Sequence, residues 1–168
     1  GKLGHLKETN LTLKYIGILS RLKKITLPIR YQLMVILSGP EPQRTLLEEK
    51  IIVELKNYKD KVVFIKGIVE PEQKMVIENN ITYYNFMQTA DLEKTFNESE
   101  VVLCRSGYTT VMDLTKLEKK AFFIPTPGQF EQEYLAKKYK KEGMISFAKQ
   151  DKFKLEDLLV IPLYGGLP

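Results

Sequence analysis

The sequence has little of what several classes of protein need. Its 168 residues include one cysteine, Cys104, and one histidine, His5. A single cysteine cannot form an internal disulfide, which is typical of a reducing cytosol. A single histidine argues against a zinc site or a Ser-His-Asp triad. No run approaches the roughly 20 apolar residues of a membrane-spanning helix, and no signal peptide is expected in the mixed polar start of the chain.

The excess of positive charge is modest and sits largely in short clusters. The formal net charge is +5, and basic residues are concentrated at 21–24 and 137–141. Such clusters are more often solvated helix faces than binding sites. If they bind anything, anionic lipid headgroups or phosphates are expected, because no nucleic-acid-binding motif accompanies them. These features indicate a cytoplasmic protein that binds no nucleic acid and that could lie at the inner face of the membrane.

The sequence does have an alternation of short apolar runs with longer amphipathic ones. Its hydrophobic fraction of 43% is enough for one buried core. The pattern predicts strands at 31–37, 61–65, 81–84, 100–104, 121–124 and 144–148, and helices at 41–58, 91–96, 107–117, 129–141 and 155–159. Such an alternation requires right-handed crossovers and a parallel sheet that is covered on both faces. The predicted fold class is therefore α/β, a Rossmann-like parallel sheet with helices on both faces.

The first thirty residues do not fit this alternation. Residues 1–30 are predicted to be an interdomain linker or the start of a C-terminal half, and residues 31–168 to be the Rossmann-like domain. Sheets of this kind bind ligands at the carboxyl ends of their strands, beside helix N-termini. Functional residues are therefore expected in the turns that lead from a strand into a helix.

The first such turn is Ser38-Gly39-Pro40. Glycine lets backbone approach a ligand closely, and the following helix start offers free N–H groups to an anion. The motif is neither GxGxxG nor a Walker loop. A turn glycine followed by a proline near a helix start explains these residues equally well.

The second turn, at residues 105–110, follows the apolar run VVLC directly. Ser106 can cap the next helix, and Gly107 keeps the approach to its first turn open. The N–H groups of residues 108–110 would form a cradle for a diphosphate. Asp113, one turn further, could accept hydrogen bonds from both hydroxyls of a ribose. The alternative, which remains open, is that Ser106 is only a cap and Asp113 only an acid favoured by the helix dipole.

The third turn contains two prolines, Pro125 and Pro127, and then Gly128. It would form a rigid loop, after which a helix begins with amide and carboxylate side chains. Gln132 offers both a donor and an acceptor, which suits sugar hydroxyls. Polar residues are also ordinary in the first turn of any helix. Cys104 is expected to fill a buried strand and not to act as a nucleophile.

The run VVLCRSGYTTVMDLTKLEKKAFFIPTPGQFEQEYLAKKYKKEGM resembles the C-terminal domain of glycosyltransferase family 28. This family has the GT-B architecture of two Rossmann-like domains, and its members include the bacterial N-acetylglucosaminyltransferase that forms lipid II. The resemblance covers the second half of the chain well and the first half loosely. It depends on the combination of RSG, a threonine, an acidic residue, a proline-containing loop and a glutamine-containing helix start.

The resemblance implies the donor-binding domain of an inverting, metal-independent glycosyltransferase that has a UDP-sugar as substrate and no cofactor. The residues implied to bind the nucleotide sugar are Ser38, Gly39, Thr89, Ser106, Gly107, Tyr108, Thr109, Thr110, Asp113, Gln132, Glu133 and Arg21. Residues 106–110 would hold the diphosphate, backbone near Thr89 would face the uracil, and Arg21 would meet the phosphates from between the domains. Asp113 stands where the family has glutamate, so its reach is shorter. Glu133 replaces the second of two glutamines, which leaves the identity of the sugar open.

The acceptor site and the general base of this family belong to an N-terminal domain that has no counterpart here. The chain by itself is therefore expected to bind a donor without transferring its sugar. The acceptor of the intact enzyme could be a lipid-linked molecule at the membrane surface. Two alternatives remain open. The chain could be a natural single-domain subunit that pairs with a separate acceptor subunit. It could also be half of a nucleotide-sugar epimerase or a non-enzymatic sugar-nucleotide sensor.

Overall fold

The computed structural model describes residues 10, 12, 14 and 16–167. Predictions about residues 1–9, 11, 13, 15 and 168, including His5, concern positions outside these described residues. The described chain forms a seven-stranded sheet. Its strands are β1 (Tyr31–Ile36), β2 (Val62–Ile65), β3 (Met75–Glu78), β4 (Ile81–Tyr84), β5 (Ser99–Cys104), β6 (Lys120–Phe123) and β7 (Ser146–Phe147). The α-helices are α1 (Gln43–Glu54), α2 (Thr89–Asn97), α3 (Tyr108–Leu117) and α4 (Phe130–Lys141), and 3₁₀ helices cover Leu55–Asn57 and Leu155–Leu163.

The strand order is β3-β4-β2-β1-β5-β6-β7, and every neighbouring pair is parallel except β3 and β4. The predicted α/β fold with a Rossmann-like sheet is confirmed. The prediction omitted β3, an antiparallel edge strand whose four residues are all exposed. The last predicted helix is longer than expected and is a 3₁₀ helix with Pro162 inside it. Proline has no N–H to donate, so an α-helix could not continue regularly through this position.

The two faces of the sheet are both covered, as the apolar strands predict. Along β1, Met34 packs in one core cluster, whereas Leu33 and Val35 pack in the other. Helices α2, α3 and α4 contribute apolar side chains to the cluster around Met34. Helix α1 and the 3₁₀ helix at 155–163 contribute to the opposite one. None of the described helices is long and apolar enough to cross a membrane.

The order of the strands reverses at β1. The chain continues from β1 to β2 on one side of β1, and the later strands β5 and β6 lie on its other side. The carboxyl ends of β1 and β5 are in register, with Ile36 opposite Cys104. A change of direction between two neighbouring parallel strands leaves a crevice outside their carboxyl ends, where α/β sheets bind ligands. The topology therefore places the candidate site at the loops that follow β1 and β5.

The segment that precedes β1 lies against helices of the domain. The backbone N–H of Ile25 donates to the Asn97 side chain at 2.9 Å, and the N–H of Lys23 donates to Glu93 at 2.7 Å. The side chain of Leu22 is 1% exposed and belongs to the core. Residues 20–25 of the predicted linker are thus anchored on the domain that the linker was expected to connect.

Candidate functional site

The turn between β5 and α3 gives the start of the helix no cap from its own N-cap residue. Gly107 is the N-cap residue, and no side chain caps the helix. The hydroxyl of Ser106 is buried and donates to the carbonyl oxygen of Gln132 in α4 at 2.7 Å. The prediction that Ser106 caps α3 is therefore wrong, because this hydroxyl ties two elements together. The geometry of a helix start leaves the N–H groups of Thr109 and Thr110 without an intrahelical partner, at the positive end of the helix dipole.

An anion of the chain itself already occupies this helix start. The backbone N–H of Tyr108 donates to Oε1 of Glu131 at 3.2 Å. Glu131 lies in the first turn of α4, and its side chain is exposed. A carboxylate at a helix N-terminus takes the place that a phosphate takes in many nucleotide sites. Sequence reasoning did not single out Glu131, because an acid in the first turn of a helix is favoured by that helix's own dipole.

A buried cation lies beneath the same edge of the sheet. Arg105 is 1% exposed. Its Nη1 donates to the carbonyl oxygens of Ile124 at 3.1 Å and Pro125 at 3.3 Å, and its Nη2 donates to that of Gln43 at 2.9 Å. These bonds join the loop after β6 and the start of α1 to the end of β5.

Among the described residues, no carboxylate balances this charge. Arg105 forms no ion pair with any residue that the structure describes. Burial lowers the pKa of Arg105 to about 10, so the guanidinium stays cationic at neutral pH. An unbalanced charge in a region of low dielectric constant produces a strong positive potential. Sequence reasoning missed this residue, since the sequence shows the arginine but not its burial.

Asp113 is in contact with the predicted linker. Its Oδ1 accepts a hydrogen bond from the hydroxyl of Ser20 at 2.6 Å, which leaves Oδ2 without a partner among the described residues. Arg21 follows directly and is exposed. The structure therefore brings Asp113 and the segment at Arg21 together, although they are distant in sequence.

The loop after β6 uses the amide of Gln132 for its own structure. Oε1 of Gln132 accepts from the N–H of Thr126 at 2.8 Å, and Nε2 donates to Oε1 of Gln129 at 2.6 Å. The amide predicted to contact a sugar is thus already bonded at both ends. Glu133 accepts from the N–H of Gly128 at 3.2 Å and pairs with Lys137 at 3.6 Å. Its side chain is 40% exposed and remains accessible.

The remaining predicted residues lie at the same edge of the sheet. Ser38 and Gly39 are exposed in the loop after β1. Gly39 has a φ of +106°, a conformation that a residue with a side chain rarely adopts. Thr89 begins α2, in the connection that follows β4. In the described part of the chain, no group of three or more His, Cys, Asp or Glu side chains could hold a metal ion.

The fold and the start of α3 define a Rossmann-like α/β domain with an anion-binding helix start at the carboxyl ends of its strands. Residues 38–160 match the family model for the glycosyltransferase family 28 C-terminal domain. The chain belongs to this family, which confirms the resemblance found in its sequence. No curated protein matches the chain closely enough to count as a relative.

Solved structures show the same fold. MurG of Acinetobacter baumannii is similar, with a TM-score of 0.57 and 18% sequence identity over 80% of this chain and 43% of that one. The glycotransferase of kitacinnamycin is also similar, with a TM-score of 0.56 and 11% identity over 87% of this chain and 38% of that one. At these identities the likeness shows the fold alone. The chain spans about two fifths of the length of each.

Proposed function

We propose that this domain binds a UDP-sugar for an inverting, metal-independent glycosyltransferase whose acceptor site lies in a second domain. The observation that carries the proposal is the start of α3, where the N–H of Tyr108 binds the carboxylate of Glu131. This helix start accepts an anion, and the cation of Arg105 lies beneath the same carboxyl ends of the strands, with no counter-ion among the residues that the structure describes. A diphosphate carries more negative charge than a carboxylate and offers more oxygens to the neighbouring N–H groups.

The donor would bind across the carboxyl ends of β4, β1 and β5. The diphosphate would replace Glu131 at the N–H groups of residues 108–110, with Arg21 approaching from the linker. Oδ2 of Asp113, which has no partner among the described residues, would accept a hydrogen bond from one ribose hydroxyl. Since Oδ1 is bonded to Ser20, we expect one strong ribose contact here and not two.

The proposed transfer step is a single displacement at the anomeric carbon of the bound donor. The acceptor oxygen attacks the anomeric carbon from the face opposite the diphosphate, and the bond from that carbon to the diphosphate oxygen breaks, which inverts the anomeric configuration. The acceptor's proton goes to a general base in the second domain. The negative charge that develops on the departing UDP is stabilised by the start of α3 and by Arg105, a role that a metal ion has in other enzymes.

The second domain would be the N-terminal half of the same protein or a separate subunit, and the acceptor could be a lipid-linked molecule at the cytoplasmic face of the membrane. In the basic cluster at 137–141, Lys137 and Lys138 pair with Glu133 and Glu142. Lys140 and Lys141 are exposed and are the cations of this cluster most accessible to an anionic membrane surface.

Calorimetric titration of the chain with UDP tests the proposal. We expect saturable binding, weaker binding to Asp113→Ala because a ribose contact is lost, and poor competition by ADP. Asp60→Ala is the matched control, since Asp60 is an exposed carboxylate before β2, at the amino ends of the strands and away from the proposed site. The proposal fails if the chain, alone and joined to its acceptor domain, shows no saturable binding of UDP or a UDP-sugar.

A further inference from the structure

A cavity lies beside the first turn of α4, close to the proposed diphosphate site. It has a volume of about 230 Å³ and lies between the loop after β6, the first half of α4 and the segment after β7. Its wall includes Pro125 and Pro127 from the loop, Glu133 from α4, and Lys149 and Gln150 from the segment after β7. None of the positions from 147 to 151 was predicted to be functional.

This cavity adjoins a region where buried polar atoms lack partners. Among the described residues, three buried side-chain atoms accept or donate no hydrogen bond: Nε of Arg105, Oγ1 of Thr126 and Oε1 of Gln150. All three residues follow the carboxyl ends of β5, β6 and β7. Gln43 at the start of α1 connects two of them, because its carbonyl oxygen accepts from Arg105 and its Oε1 accepts from Nε2 of Gln150 at 2.9 Å.

Buried polar groups without partners are rare in folded proteins, because each one loses its hydrogen bonds to water. Gln150 is only 8% exposed, and it contributes to the cavity wall. An apolar residue would pack at this position without that penalty. Of the three residues with such atoms, Gln150 alone lines the cavity, so a polar ligand bound there would supply the partner that its Oε1 lacks.

The composition and size of the cavity indicate which ligand fits. Pro125, Pro127 and Phe147 provide apolar surface, whereas Lys149 and Gln150 provide hydrogen-bonding groups. A sugar ring has this mixed character, with C–H faces and hydroxyl edges. The volume is below the roughly 300–1,000 Å³ of pockets for drug-sized ligands, so one ring fits better than a whole nucleotide sugar.

The position of the cavity connects it to the diphosphate site. Glu131, which is bonded to the start of α3, and Glu133, which lines the cavity, are both in the first turn of α4. We propose that the cavity binds the sugar of the donor, and that Lys149 and Gln150 hydrogen-bond its hydroxyls and determine which sugar is accepted. This inference rests on the proposed function and assigns the sugar preference of the same site to the segment after β7.

Two variants test it by comparing UDP with UDP-sugars. Lys149→Met removes the exposed ammonium group of Lys149. Gln150→Leu removes the buried amide of Gln150 and keeps a similar side-chain volume. Binding of UDP, UDP-N-acetylglucosamine, UDP-glucose and UDP-galactose is measured by calorimetry on the whole chain, and thermal unfolding checks that each variant is folded. Lys152→Met is the matched control, because Lys152 is an exposed lysine in the same segment that does not line the cavity.

We expect each cavity variant to lower the affinity for at least one UDP-sugar by about five- to tenfold, the usual effect of one lost hydrogen bond. The affinity for UDP should stay within twofold, and Lys152→Met should change nothing. The inference is overturned if folded Lys149→Met leaves the affinity for every UDP-sugar unchanged relative to that for UDP. It is also overturned if both variants weaken the binding of UDP as much as the binding of the UDP-sugars. A wild-type chain that binds UDP-sugars no differently from UDP, and stays so in both variants, would overturn it as well. Failure of the wild-type chain to bind UDP at all would instead overturn the proposed function.

Discussion

Replacing Glu131 by glutamine should make the domain bind UDP more tightly. In the structure, the Glu131 carboxylate accepts the N–H of Tyr108 at 3.2 Å, so a diphosphate has to displace it. Glutamine has nearly the same size but carries no charge and is a weaker acceptor. The variant therefore removes both a competitor for the helix start and a source of electrostatic repulsion.

The size of the effect has two contributions. A negative charge at an exposed helix start is stabilised by about 0.3–1 kcal/mol, which a diphosphate must overcome when it displaces the carboxylate. Two unit charges about 6 Å apart in water repel each other by about 0.7 kcal/mol. The sum is about 1–1.7 kcal/mol, which corresponds to roughly 5- to 20-fold tighter binding. Salt screens both contributions, so the gain should be larger at low ionic strength.

The assay is calorimetric titration of the wild type and Glu131→Gln with UDP at low and at physiological salt. Uridine serves as a second ligand, and its affinity should not change because it lacks the diphosphate. Glu72→Gln is a matched control with the same change in net charge, at an exposed position in the connection between β2 and β3. If folded Glu131→Gln binds UDP as the wild type does, or more weakly, the carboxylate does not compete with the diphosphate and the reasoning is refuted.

Three further predictions concern stability and reactivity. Arg105→Met should lower the free energy of unfolding by about 3 kcal/mol in urea titrations, because it leaves buried carbonyl oxygens without donors; an unchanged midpoint would contradict this. Burial raises the pKa of the Cys104 thiol far above its usual range. Iodoacetamide at pH 8 should therefore modify Cys104 only in urea. Rapid reaction of the native chain would be inconsistent with the fold. The hydrogen bond from the N–H of Leu155, and next the side chain of Lys154, hold the pKa of Glu54 below its usual value. The carboxylate therefore stabilises the fold above about pH 4.5. This stabilisation is lost as pH falls through the lowered pKa. Glu54→Gln should therefore cost about 1 kcal/mol at pH 7, and thermal melts should show the difference shrinking in acid; a difference independent of pH would argue against the carboxylate's role.

Most elements could be predicted from the sequence because buried parallel strands are short apolar runs that end at turn residues. The strand predicted at 100–104 is found at Ser99–Cys104, and the helix predicted at 107–117 begins at Tyr108. Strand β3 was missed because its apolar residues lie at an exposed edge and not in the core. A pattern that reflects burial cannot identify a strand whose four residues are all exposed and that pairs with β4 at the edge of the sheet.

The sequence by itself determined the alternation of strands and helices and the family, and it predicted the turn at 105–110 as an anion site. These features depend on residues that are close together in the chain, and local patterns contain that information. Only the tertiary structure decided which side chains are available in the site. Ser106 and Gln132 are 26 residues apart, and Tyr108 and Glu131 are 23 apart, yet each pair is hydrogen-bonded. Such contacts depend on how α4 packs beside α3, so no local pattern shows that Ser106 is committed, that Arg105 is buried, or that a carboxylate occupies the helix start.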